Sequence, residues 1–81
     1  MNVLLYPLGT EKAINKIEKD NIITYVVDMK ANKKDIKETF EKQFGVKVDK
    51  INVAIGKVKK AYIKLNKNYN ARDIAIKLKL V

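Results

Sequence analysis

Lys60, Tyr62 and Lys64 recur at every second position of Lys59-Lys60-Ala61-Tyr62-Ile63-Lys64-Leu65, so on an extended strand they share one face. Two ammonium groups on either side of a phenol ring can grip a nucleic-acid backbone while the ring stacks on a base or sugar. The same ring can instead pack under a helix while the lysine stems run along apolar surface. For the tyrosine alone, packing under a helix is the preferred reading. Lys57, Lys59 and Lys60 crowd the preceding turn, where like charges repel one another without helping the fold, and a polyanion partner is the simpler account of them. A second group, Lys33, Lys34 and Lys37, follows Asn32 at a helix start. That end of a helix favours anions, so these lysines read either as a solvated helix face or as phosphate contacts.

Other chemistry is excluded by what is missing. The chain has no His, Cys or Ser, hence no imidazole acid-base pair, no thiolate and no serine nucleophile. Zinc ligation by nitrogen and sulfur is ruled out on the same ground. Gly9, Gly45 and Gly56 are isolated and make no phosphate loop. Lys34 with Glu38, and Glu38 with Lys42, fall at the i, i+4 spacing of ordinary exposed helix pairs. The reading is a binding protein rather than an enzyme, with no cofactor, no metal and no small-molecule substrate.

The elements that must carry these lysines follow from periodicity and caps. Val3-Leu4-Leu5-Tyr6 is a short apolar run ended by Pro7 and Gly9, which predicts an edge strand and a turn. Thr10 stands at an N-cap position ahead of Glu11, with Ala13, Ile14 and Ile17 on one side of a short helix. Asn21 to Asp28 is apolar in both phases, which predicts a central strand covered on both faces. Asn32 with Asp35 forms a capping-box pattern; Ile36, Phe40 and Phe44 make a stripe, and Gly45 fits the left-handed stop. Val46 and Val48 alternate in one phase and Ile51, Val53 and Ile55 in the other. The shift at Asp49-Lys50 means either that the strand starts near Lys50, the preferred reading, or that a bulge sits there. Gly56-Lys57-Val58-Lys59 reads as a tight turn into a last strand with Ala61, Ile63 and Leu65 inward. Asn70 with Asp73 repeats the cap pattern before Ala71, Ile74, Ala75 and Leu78.

Eighteen basic residues against nine acidic ones give a formal charge of +9, and Arg72 is the only arginine. Residues 1–49 hold nine basic and eight acidic groups; residues 50–81 hold nine basic and one acidic. A one-sided field of this kind attracts polyanions, and lysine favours diffuse phosphate contacts over bidentate reading of bases. With 81 residues, 47% of them hydrophobic, the chain reads as one domain spanning 1–81 without linker or tail. Its longest apolar run is far below the roughly 20 residues of a membrane span, and its start lacks a basic signal-peptide head, so no membrane partner is expected. The absence of cysteine suits a cytoplasmic setting.

The order β-α-β-α-β-β-α is accompanied by a set of matching stretches. They are Tyr6-Pro7-Leu8-Gly9-Thr10-Glu11-Lys12-Ala13, Asn21 to Val27, Ala31-Asn32-Lys33-Lys34-Asp35-Ile36-Lys37, Phe44-Gly45-Val46-Lys47-Val48, Ile51-Asn52-Val53 and Lys59 to Leu65. In this order and spacing they resemble the large-subunit ribosomal protein family conventionally numbered twenty-three, across essentially the whole chain. The resemblance implies an α+β, three-layer α/β/α domain whose antiparallel four-stranded sheet has strand order 1-2-4-3. It implies binding of large-subunit rRNA at the rim of the polypeptide exit tunnel, contact with a neighbouring large-subunit protein numbered twenty-nine, and docking of signal recognition particle or other nascent-chain factors. The RNA-facing candidates it marks are Thr10, Glu11 and Lys12 at the start of the first helix, Lys33, Lys34 and Lys37 on the second, and Lys57, Lys59, Lys60 and Lys64 on the last hairpin, to which the strand alternation adds Tyr62. Bacterial members carry a long hairpin extension, whereas Ile55 to Lys60 leaves room only for a tight turn. The form is archaeal or eukaryotic in style. The alternative from another class is a free-standing α+β module that binds an acidic protein or small effector on its sheet face.

Overall fold

The computed structural model describes residues 3–80. Chain order is β1 (Leu4–Pro7), α1 (Glu11–Asp20), β2 (Ile22–Val27), α2 (Lys33–Phe44), β3 (Val48–Ile55), β4 (Lys59–Leu65) and α3 (Ala71–Lys77). All strand pairs are antiparallel, in the order β1-β2-β4-β3 that the resemblance implied. β2 is central, and residues 23–27 are all buried, because both of its phases are apolar apart from Thr24.

Local chemistry sets the helix ends. Thr10 Oγ1 accepts the Ala13 N–H at 3.3 Å, and Asn21 closes α1 in the left-handed region (φ 59). The Asn32–Asp35 capping box forms in both directions, with distances of 2.8 and 3.2 Å, so two otherwise unpaired amides at the start of α2 are satisfied. Gly45 stops α2 at φ 66, where a glycine carries no Cβ penalty. At α3 the expected reciprocal pair with Asp73 is replaced by a shorter turn: Asn70 Oδ1 accepts from Arg72 N, while the Asp73 amide donates to the Asn70 carbonyl.

One sheet face builds the core. Ile23, Tyr25 and Val27 of β2 line up with Ala61, Ile63 and Leu65 of β4 and with Ile51 of β3, under Ile36 and Phe40 of α2 and Ile74 and Ala75 of α3. Burying each large side chain of this set stabilises the fold by roughly 1.5–3 kcal/mol. Phe40 meets Tyr25 edge-on at 6.3 Å and Phe44 at 4.6 Å, which orders the Ile36-Phe40-Phe44 stripe. Helix α1 contributes Ile17 to this core and sets Lys12, Ala13 and Lys16 beside the opposite sheet face, so helices lie on both sides of the sheet.

Two sequence expectations are corrected. β3 begins at Val48 rather than near Lys50, and the phase shift is a bulge between Val48 and Lys50. The bulge lets both Val48 and Ile51 reach the core face. It is held by Asn66 Nδ2 donating to Asp49 Oδ1 at 3.0 Å and by the Val48 N–H donating to Glu41 Oε2 at 2.8 Å. The hairpin turn is only Gly56-Lys57-Val58, and Lys59 already pairs with Ile55 as the first residue of β4.

Candidate nucleic-acid interface

Strand alternation divides the hairpin lysines between two faces. Lys60, Tyr62 and Lys64 stand opposite Val26, Thr24 and Ile22 of β2 on the face away from the core. Lys59, one residue earlier, falls in the phase of Ala61, and its ammonium group donates to the Ala31 carbonyl beside the start of α2. That lysine has a structural partner. Lys57 is exposed at the tip, where it borders a shallow hollow that also includes Lys60 and Tyr62.

Helix α1 brings the first candidate group to the same outer face. Thr10, Lys12 and Ala13 on one side, and Thr24, Lys60 and Tyr62 on the other, line a pocket of about 110 Å³. No carboxylate borders it. Lys16, which has no place among the residues marked by the resemblance, completes the group, with its Nζ 5.5 Å from the centre of the Tyr62 ring in cation–π geometry. Lys12, Lys16 and Lys19, spaced by four and three, occupy one side of α1, and together with Asn15, Tyr62 and the carboxylate-bearing Asp20 they border the adjoining hollow. That i, i+4, i+7 spacing was the available signal for Lys16. Tyr62 is thus half-buried under a helix with a lysine over its ring, and Lys64 is exposed farther along the same strand face. Glu11 is exposed in the first turn of α1, where its carboxylate complements the positive helix end and cannot neutralise a phosphate.

The second candidate group is separate. Lys33, Lys34 and Lys37 are exposed on α2, which covers the core face, so the sheet stands between them and the α1 lysines. Lys50, likewise unmarked in the sequence, joins them around a shallow surface floored by Val48 and Ile51 and bordered by Asp49. The structure therefore unites Thr10, Lys12, Lys60 and Tyr62, adds Lys16, and leaves Lys33, Lys34 and Lys37 on another side.

The family model described as Ribosomal protein L23 matches residues 2–78. The chain belongs to the ribosomal protein L23 family. Members of the family are structural, non-enzymatic components of the ribosome. Among curated proteins, the large ribosomal subunit protein uL23 of Trypanosoma brucei brucei is 46% identical over 81 residues, covering 98% of this chain and 49% of the relative. The chain thus spans about half the length of the curated relative it matches. Among the described residues, no helix is long and apolar enough to cross a membrane.

Proposed function

We propose that this L23-family chain is a structural constituent of the large ribosomal subunit that holds large-subunit rRNA against the outer face of its sheet. The observation that carries the reading is the convergence of Lys12, Lys16 and Lys60 around Thr24 and Tyr62 with no carboxylate among them. A concave surface of one sign focuses the field on a polyanion, and ammonium groups at its rim release counterions when phosphates replace them. In this reading Lys57, Lys64 and Lys19 extend the contact along the same face, while Lys33, Lys34, Lys37 and Lys50 meet a different RNA segment. The family resemblance supports a position near the polypeptide exit tunnel in a cytoplasmic ribosome. It also supports contact with the neighbouring protein numbered twenty-nine and a share in the docking site for signal recognition particle and other nascent-chain factors.

The test is binding of the full chain to transcribed large-subunit rRNA. Changing Lys12, Lys16 and Lys60 together to Gln lowers affinity at least tenfold and makes the log–log salt dependence shallower by about 0.7–0.9 for each phosphate that is no longer neutralised. Unchanged affinity rules out the outer face as the RNA surface. Sedimentation of a lysate decides the wider reading: the chain migrates with large subunits, and a free low-mass pool alone would instead favour a stand-alone interaction module.

A further inference from the structure

One half of the outer sheet face has no helix over it. Helix α1 packs on β2 and reaches as far as Tyr62, whereas Asn52 and Ala54 of β3, one strand further out, are exposed. Asn52 stands directly across from Tyr62, so Lys60 and Lys64 are its diagonal neighbours on the same face. Asparagine is disfavoured in strands, and an exposed edge position offers it no packing. Asn21, Asn32, Asn66 and Asn70 use their side chains on caps, turns and the β3 bulge, but Asn52 makes no such bond among the described residues. Ala54, two positions on, borders with Lys57, Val58, Lys60 and Tyr62 a hollow of about 280 Å³. A neutral amide thus stands between two lysines, beside an open recess, in a stretch with no acidic residue from Lys50 to Arg72.

We infer that this half of the face takes an unpaired adenosine of the bound RNA. The base enters the recess, Asn52 Nδ2 donates to its N1 or N7, and Asn52 Oδ1 accepts from its N6 amino group. The inference rests on the RNA-binding reading above and adds base selectivity to contacts that otherwise carry none. Phosphate oxygens only accept, so they match the amide's donor and leave its oxygen unpaired; a base edge matches both. Adenine presents an acceptor beside a donor on both its Watson–Crick and its Hoogsteen edge, and an unpaired base exposes the two. An RNA duplex hides the first edge and keeps the second in a groove that side chains cannot read.

The test is Asn52→Ala in the full chain, with short U-rich RNAs carrying a single central A, C or U as probes. The parent binds the A-containing strand about tenfold more tightly than the all-U strand. Asn52→Ala removes that preference while melting, affinity for the all-U strand and salt slope stay as in the parent, because no charge is lost. No preference in the parent, a preference for C over A, or a preference that survives in Asn52→Ala overturns the inference. If Asn52→Ala loses nothing while the Lys12, Lys16 and Lys60 triple variant loses rRNA affinity, the base contact falls and the RNA-binding face stands. If the triple variant also binds normally, both fall. Should Asn52→Ala not fold, the side-chain amide signal of Asn52 in the parent decides by NMR. A shift with the A-containing strand alone supports the contact, and equal shifts with both strands, or none, overturn it.

Discussion

The side-chain oxygen of Asn21 accepts the backbone N–H of Ala71 at 2.7 Å, joining two positions fifty residues apart in the chain. The Asn21 amide nitrogen donates to the Tyr69 carbonyl at 2.9 Å, and the Asn21 backbone carbonyl accepts from Leu65 N. One left-handed residue therefore ties the end of α1 to the end of β4 and the start of α3. Asn21→Ala is expected to cost about 3 kcal/mol, combining the strain of the left-handed region with unpaired buried groups. Asn21→Gly removes the hydrogen bonds but not the conformation, and is expected to cost about 1 kcal/mol less. Urea denaturation checks both, as a lowered midpoint at constant slope.

Lys59 and Lys60 are neighbours with different tasks. Because the Lys59 ammonium is bound to the Ala31 carbonyl, Lys59→Gln is expected to lower stability by about 1–2 kcal/mol. Its rRNA affinity stays within about twofold of the parent once the protein is folded. Lys60→Gln is expected to leave melting unchanged, to weaken RNA binding, and to reduce the salt slope by about 0.7–0.9. Filter binding over a salt series, with thermal melts alongside, separates the two.

Alkaline stability depends on Tyr25, whose burial beside Phe40 pushes its phenol above the ordinary value of 10.0. The folded state holds that proton more tightly than the unfolded state. The resulting contribution is fully present below about pH 10 and is lost as pH rises through the raised folded value. Tyr25→Phe is expected to remove this part of the alkaline loss, read as a flatter dependence of the unfolding midpoint on pH above about 10.

Two glycines make opposite predictions. Gly45 has φ 66 with open space around its missing Cβ, so Gly45→Ala is expected to cost about 1 kcal/mol through backbone strain alone. Gly56 has no positive φ and equally open surroundings, so Gly56→Ala is tolerated although it sits in the hairpin turn. Thermal melts of the two variants check the contrast.

Much of this fold was legible because its signals are local. The Asn32–Asp35 box, Gly45, the Thr10 cap and the doubly apolar β2 each act within a few residues, and each appears where the sequence places it. The phase shift at Asp49-Lys50 was legible and admitted a bulge, but the choice of a bulge over a late strand start was not, because its supports, Glu41 and Asn66, are remote in sequence and a charged pair looks like loop until those partners are seen. The candidate site was legible in part for the same reason. Lysine alternation in β4 was readable, but that Lys16 would cover Tyr62 depends on how α1 lies against the sheet. The turn cluster of Lys57, Lys59 and Lys60 looks like one group in sequence, and strand phase sends Lys59 to the other side. Nothing local marks Thr24 as unpaired; that depends on what α1 and β4 fail to offer it.

Both outer strands are irregular where the inner pairing of β2 with β4 is regular: β1 is bulged between Leu4 and Tyr6 and ends in Pro7, and β3 is bulged at Asp49 beside Lys50. A flat strand with free amides and carbonyls is a template onto which a second copy can zip, whereas a bulge, a proline and a charge spoil the register such growth requires. The two kinked borders therefore disfavour edge-to-edge growth of one copy on another into fibrous polymers.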